Sequence, residues 1–175
     1  MTVRWTQRYP RWTWLVAVAI LLALDQASKS FFSTTLALGE SVPVTDWLNF
    51  VHVLNKGAAF SFLADAGGWQ RWFFIGVSTL VVGAVSVMCL TQEVGPLDRW
   101  VGAFVAGGGG GNLVDRVQIG AVVDFLDFHW RGIHWPAFNL ADVFVVCAAL
   151  VWCIASMKAP PRQPKPQKTA EELHR

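Results

Sequence analysis

Hydrophobic residues in this chain gather into four long runs, at about 12–32, 72–91, 100–114 and 136–157, with shorter mixed segments between them. A bilayer core about 30 Å thick is crossed by roughly 20 helical residues. The second and fourth runs reach that length directly. The first reaches it by including Asp25 and Lys29, and the third by including Asn112 and Asp115. The pattern predicts helices at about 12–33, 70–91, 97–116 and 136–158. Trp5, Trp12, Trp14, Trp69, Trp72, Trp100, Trp130 and Trp135 stand near the ends of the runs, where interfacial aromatics settle. Two outward loops remain, at about 34–69 and 117–135. Residues 40–63 mix β-branched and aromatic residues around turn formers and read as one or two short strands on the membrane surface. Residues 117–135 look similar, with Val122, Val123, Phe125, Phe128 and Trp130 able to dip into the interface. The expected fold class is an all-α membrane protein, with four transmembrane helices and a small extracytoplasmic β-rich loop region.

Composition agrees, since 54% of the 175 residues are hydrophobic and only 15% are charged. Arg4, Arg8 and Arg11 precede the first run and Lys158, Arg162, Lys165 and Lys168 follow the fourth. The outward loops carry little positive charge beyond Lys56 and Arg131. Positive residues stay inside, so both termini are expected in the cytoplasm, and Arg99 in the loop between helices two and three agrees. A cleaved signal peptide at 1–35 is disfavoured by the length of the run and by Asp25 and Lys29. Residues 159–175 are rich in Pro and charge and read as a disordered cytoplasmic tail, leaving 1–158 as one domain. Cys89, Cys147 and Cys153 are odd in number and lack CxxC spacing, so neither a disulfide framework nor a thiolate metal site is indicated. The net charge of +2 speaks to topology and not to nucleic acid.

Two aspartates break the apolar pattern most sharply. Asp124 lies among Val122, Val123 and Phe125, and Asp142 opens a run that is otherwise uncharged to Met157. Ionising a carboxylate beside hydrocarbon is costly, so such residues point first to function. Asp25 and Lys29, four apart with the acid first, suit a structural salt pair. Asn112, Asp115 and Arg116 share one helical face, and Asn139 and Asp142 stand three apart on the next helix. With the helices alternating in direction, all these groups fall at one depth near the outer boundary. The glycines at 107–111 suit either close helix packing or a backbone surface for an extended peptide. No Lys-Ser or Lys-Thr follows them, so they do not form a P-loop. There is no His-Glu-x-x-His pair, and His129 and His134 are poorly spaced for a metal. No Gly-x-Ser-x-Gly elbow occurs, and Ser61, Ser78 and Ser86 lack an obvious base. The carboxylate pair is what remains.

Five segments stand out together: Asp25-Gln26-Ala27-Ser28-Lys29, Asn55-Lys56-Gly57-Ala58-Ala59-Phe60-Ser61, Gly111-Asn112-Leu113-Val114-Asp115-Arg116, Val123-Asp124-Phe125 and Phe138-Asn139-Leu140-Ala141-Asp142. In this order they resemble the bacterial signal peptidase II family. Lys56, where a small hydroxyl residue is common, and the long glycine run depart from the pattern. The resemblance implies a membrane aspartyl endopeptidase with Asp124 and Asp142 as its catalytic dyad. It implies that Asn55, Gly57, Asn112, Arg116, Asn139 and Ala141 position substrate or brace the dyad, with Asp25, Lys29 and Asp115 as structural support. The implied substrate is a prolipoprotein already carrying diacylglyceryl on its cysteine, cut just before that cysteine in the inner membrane, near its outer face. No metal or other cofactor is expected, and the protein is expected to be a monomer in contact with membrane lipid. A small proton-coupled transporter and a non-catalytic membrane scaffold stand as rival readings. A transporter would place its carboxylates near the midplane with repeat symmetry, and neither is seen.

Overall fold

The computed structural model describes residues 10–57 and 67–158. The expected tail at 159–175, the residues before Pro10, and the loop motif from Ala58 onward lie outside the described residues. The element order is α1 (Arg11–Thr35), β1 (Ser41–Thr45), β2 (Leu48–Asn55), α2 (Trp69–Thr91), α3 (Pro96–Gln118), β3 (Val122–Trp130), β4 (Ile133–His134) and α4 (Leu140–Lys158). Three of the helices, α1, α2 and α4, are long and apolar enough to cross a membrane.

The third helix is not among these three, and it stands between the others. α3 packs extensively on each of the other three helices, whereas α1 and α2 barely touch. Its buried residues are Gly102, Ala103, Ala106, Gly107, Gly108, Gly111 and Asp115, nearly all small. A Cβ on Gly107 would stand 2.7 Å from Leu21 Cβ of α1, and one on Gly108 would stand 2.5 Å from the Ala141 carbonyl of α4. One on Gly111 would overlap the Asp25 carboxylate. Glycines there let three helices close on one axis, the close-packing alternative of the two left open. Gly109 lines a cavity, and Gly110 has no close neighbour. At the far end of the bundle Trp14, Cys89, Ala103 and Ala106 form a small buried core.

The β-rich region is a four-stranded antiparallel sheet in the order β1-β2-β3-β4. It joins the loop between α1 and α2 to the loop between α3 and α4, which are distant in sequence, through the pairing of β2 with β3. A register shift between Phe50 and Val53 brings Val53 opposite Asp124 and Asn55 opposite Val122. Phe32, near the end of α1, packs against Phe50 and Phe125 with ring centroids at 4.7 and 4.5 Å, tying the sheet to the bundle. β3 turns into β4 through Arg131 and Gly132, both at positive φ (49° and 81°), as a two-residue hairpin demands. His134 pairs with Asp127 at 2.9 Å and stacks on His129 at 5.1 Å, so both histidines stay within the sheet.

Two boundaries differ from expectation. The fourth helix starts at Leu140 and not at residue 136, because Phe138 bridges back to Leu126 of β3. Asn139 then opens the helix: its Oδ1 accepts from the Asp142 N–H at 3.0 Å, and Asp142 Oδ2 accepts from the Asn139 N–H at 3.3 Å. That reciprocal pair is a capping box with Asn and Asp in place of Ser and Glu. Arg99 lies inside α3 and not in a loop, its N–H donating to the Gly95 carbonyl.

Candidate active site

The polar residues singled out from the sequence meet at one end of the bundle, under the sheet. β3 delivers Asp124, 2% exposed, and the first turn of α4 delivers Asp142. Both line one cavity of about 670 Å³, shared with Asn55, Asn112 and Arg116. Most of the remaining lining is apolar. Val77, Val81 and Val82 of α2 and Val145 and Val146 of α4 line the cavity, with Trp135 and Phe138.

Three amides hold the two carboxylates, and each is oriented by a partner that can only donate. Asn139 Oδ1 is taken by the Asp142 N–H, so its Nδ2 faces Asp124 Oδ1 at 2.6 Å. Asn55 Oδ1 is taken by the Gly57 N–H at 2.9 Å, so its Nδ2 donates to Asp124 Oδ2 at 3.1 Å. Asn112 Oδ1 accepts from Lys29 Nζ at 2.9 Å, so its Nδ2 donates to Asp142 Oδ1 at 2.8 Å. Backbone N–H groups and an ammonium have no acceptor capacity, which leaves each amide one orientation. Burial, and then the charge of Asp142, raise Asp124 from the ordinary carboxylate range to about 7, against the pull of Asn55, Asn139 and Lys29.

Behind this pair lies a second cluster. Lys29 Nζ stands 2.8 Å from Asp25 Oδ2 and 3.0 Å from Asp115 Oδ2, with both acids buried. Asp25 Oδ1 accepts from the Ala141 N–H at 2.9 Å, and Asp115 Oδ2 from the Val123 N–H at 3.1 Å. One ammonium between two acids thus ties α1, α3, α4 and β3 together. Ala141 is wholly buried, its backbone held on one side by Asp25 and crowded on the other by Gly108. Arg116 donates to the Gly57 carbonyl at 3.0 Å and lies over the Phe74 ring at 5.1 Å.

Every site residue named from the sequence falls in one of these two clusters. Two participants were not named. Gln26 Nε2 donates to Asp115 Oδ1 at 2.8 Å and to the Gly111 carbonyl at 3.2 Å; its place inside the motif at 25–29 was the available signal. Arg71 reaches the end of α3 from α2, and a lone cation at a helix start carries no signal of that. Ser78 and Cys147 line the cavity. Among the described residues no group of three or more His, Cys, Asp or Glu side chains is placed to hold a metal ion.

The family model described as signal peptidase (SPase) II matches residues 17–158. The lipoprotein signal peptidase of Cupriavidus pinatubonensis is 48% identical over 146 residues, covering 83% of this chain and 82% of the relative. That of Aeromonas hydrophila is 49% identical over 143 residues, covering 79% and 83%. That of Shewanella amazonensis is 44% identical over 161 residues, covering 91% and 94%. A bacterial membrane enzyme solved by the in meso method at 2.3 Å resolution superposes with a TM-score of 0.75 at 26% identity, over 87% of this chain and 94% of the other.

Proposed function

This chain belongs to the signal peptidase II family, and from that premise we propose that Asp124 and Asp142 are the catalytic dyad of its reaction. Its activity is that of a lipoprotein signal peptidase, an aspartic-type peptidase of the inner membrane that processes prolipoproteins. Family membership does not favour a transporter or a scaffold. The observation that carries the dyad is the convergence of two carboxylates, from β3 and α4, on one cavity under three oriented amides.

Two close carboxylates cannot both ionise cheaply, so the pair holds one shared proton. The ionised member takes a proton from water, which attacks the scissile carbonyl. The protonated member donates to the developing oxyanion, and the leaving amine is then protonated from the pair. Asn55, Asn112 and Asn139 hold the carboxylates through this cycle, and Arg116 and Asn112 are donors for peptide carbonyls of the substrate. Gly57 supplies the carbonyl that steadies Arg116, and Ala141 leaves room beside Asp142. Asp25, Lys29 and Asp115 brace the helices.

The substrate is a prolipoprotein whose cysteine carries diacylglyceryl, cut immediately before that cysteine. Lipid anchored in the bilayer brings the scissile bond to the depth of the dyad and fixes its register. The valine-lined part of the cavity supports an apolar substrate next to the polar end. We further take α3 as a fourth span sheltered by its neighbours, the termini as cytoplasmic, the sheet and dyad as lying at the outer face, and the working unit as a monomer of one peptidase domain at 1–158.

The test is cleavage of a diacylglyceryl-modified prolipoprotein by purified wild type, Asp124→Asn and Asp142→Asn in detergent with chelator present. Wild-type cleavage with both variants folded and slowed by at least about 1,000-fold is expected, as for loss of a residue acting in a catalytic unit. Undiminished cleavage by either variant would sink the dyad.

A further inference from the structure

α2 gives the cavity an apolar wall, yet its first turn carries a cation that takes no part in the dyad's contacts. Arg71 Nε donates to the Arg116 carbonyl at 3.0 Å and Nη2 to the Val117 carbonyl at 2.8 Å. Both carbonyls belong to the last turn of α3, where a helix has no partners of its own left to offer. The neighbouring Asp115 carbonyl is satisfied locally by the Ile119 N–H at 2.8 Å. A planar guanidinium serves two adjacent carbonyls at once, and positive charge suits a helix C-terminus. α3 is therefore capped from another helix.

The capped joint leads directly into the site. Upstream of it are Asn112 and Arg116; downstream, Gly120 and Ala121 lead into β3 and Asp124. The Arg71 side chain lies on Gly120, whose φ is +76° and where a Cβ would meet Arg71 Cδ and Nη1 at 3.4 Å. Phe74, one turn along α2 from Arg71, lies under the Arg116 guanidinium. One face of α2 thus holds the backbone of Arg116 through Arg71 and its side chain through Phe74.

We infer that Arg71 is a positioning residue for lipoprotein cleavage: by bridging α2 to the terminal carbonyls of α3, it holds Asn112, Arg116 and Asp124 in the arrangement that reacts. It touches neither substrate nor dyad and acts through the joint between α3 and β3. It rests on Asp124 being a member of the dyad, as proposed above.

The experiment compares wild type, Arg71→Lys, Arg71→Ala and Asp124→Asn as purified full chains on the diacylglyceryl-modified prolipoprotein. It reads kcat, KM, the pH profile and thermal unfolding. Lysine keeps the charge but cannot span both carbonyls. Arg71→Lys should lose about 10-fold in kcat with KM changed less than about 3-fold and unfolding near wild type, and Arg71→Ala about 100-fold, the scale of a small misplacement of reacting groups. The alkaline limb of the profile should move to lower pH in both, because a loosened β3 lets water reach Asp124. A role in stability alone would lower the folded fraction and leave kcat per folded molecule and the limb unmoved. Wild-type kcat and limb in Arg71→Lys overturn the inference, including where Arg71→Ala does not fold. Activity in Asp124→Asn removes the dyad itself; an inactive Asp124→Asn beside a normal Arg71→Lys removes only the role of Arg71.

Discussion

Asn139 commits both ends of its amide, one to starting α4 and the other to Asp124, so a helix cap doubles as a brace for the proposed dyad. Asn139→Ala should cost about 1–2 kcal/mol of stability through the cap and lower kcat as well. Thermal unfolding beside single-turnover rates checks both; a rate loss no larger than the loss of folded protein would sink the brace. Asp124 makes a sharper prediction. Burial and Asp142 hold it at about 7. Between the ordinary carboxylate range and that value the folded chain keeps a proton that the unfolded chain has lost. Stability therefore falls as pH rises through that interval. If cleavage needs one proton on the pair, kcat/KM should fall as pH rises through about 7. A profile flat from about pH 6 to about pH 8 would contradict the shared proton.

At the scale of elements, α3 sets the geometry, and its glycines differ from one another. Gly108 stands against the backbone carbonyl of Ala141, which cannot retreat because Asp25 holds the N–H of the same residue. Gly110 has only Leu22 Cδ1 near it, at 3.9 Å. Gly108→Ala should destabilise by about 1–3 kcal/mol and reduce activity, as overpacking does. Gly110→Ala should be neutral, or stabilising by up to about 1 kcal/mol through helix propensity. Unfolding midpoints of the two variants in one detergent decide this, and equal losses would refute it. The periodicity showed where the helices run. It could not show which glycine meets which neighbour, because that depends on how α1, α2 and α4 are placed around α3. Nor could it place the start of α4, where a bridge between Phe138 and Leu126 competes with helix and wins. The contribution of Arg71 was equally hidden, since its partners are backbone carbonyls and carry no residue identity.

For the whole molecule, every site residue and the sheet lie at one end of the bundle, and the turn between α2 and α3 lies at the other. From the excess of Lys and Arg around the chain ends we propose that the site end faces outward. In a variant with Cys89, Cys147 and Cys153 replaced, a single cysteine at Asp46 should react with a membrane-impermeant maleimide in intact cells. One at Gln92 should react only after permeabilisation. The reverse pattern would invert the orientation. Membrane residence, the helix positions, strand-forming loops and the identity of the polar groups were all legible in the chain, because hydrophobic length and costly buried charge are local properties. The meeting of Asp124 with Asp142 is a matter of tertiary structure. It needs the register of β2 on β3, the capping of α4 by Asn139, and a central helix small enough to bring the others together. Those depend on contacts between residues far apart in sequence, which no pattern along one segment encodes.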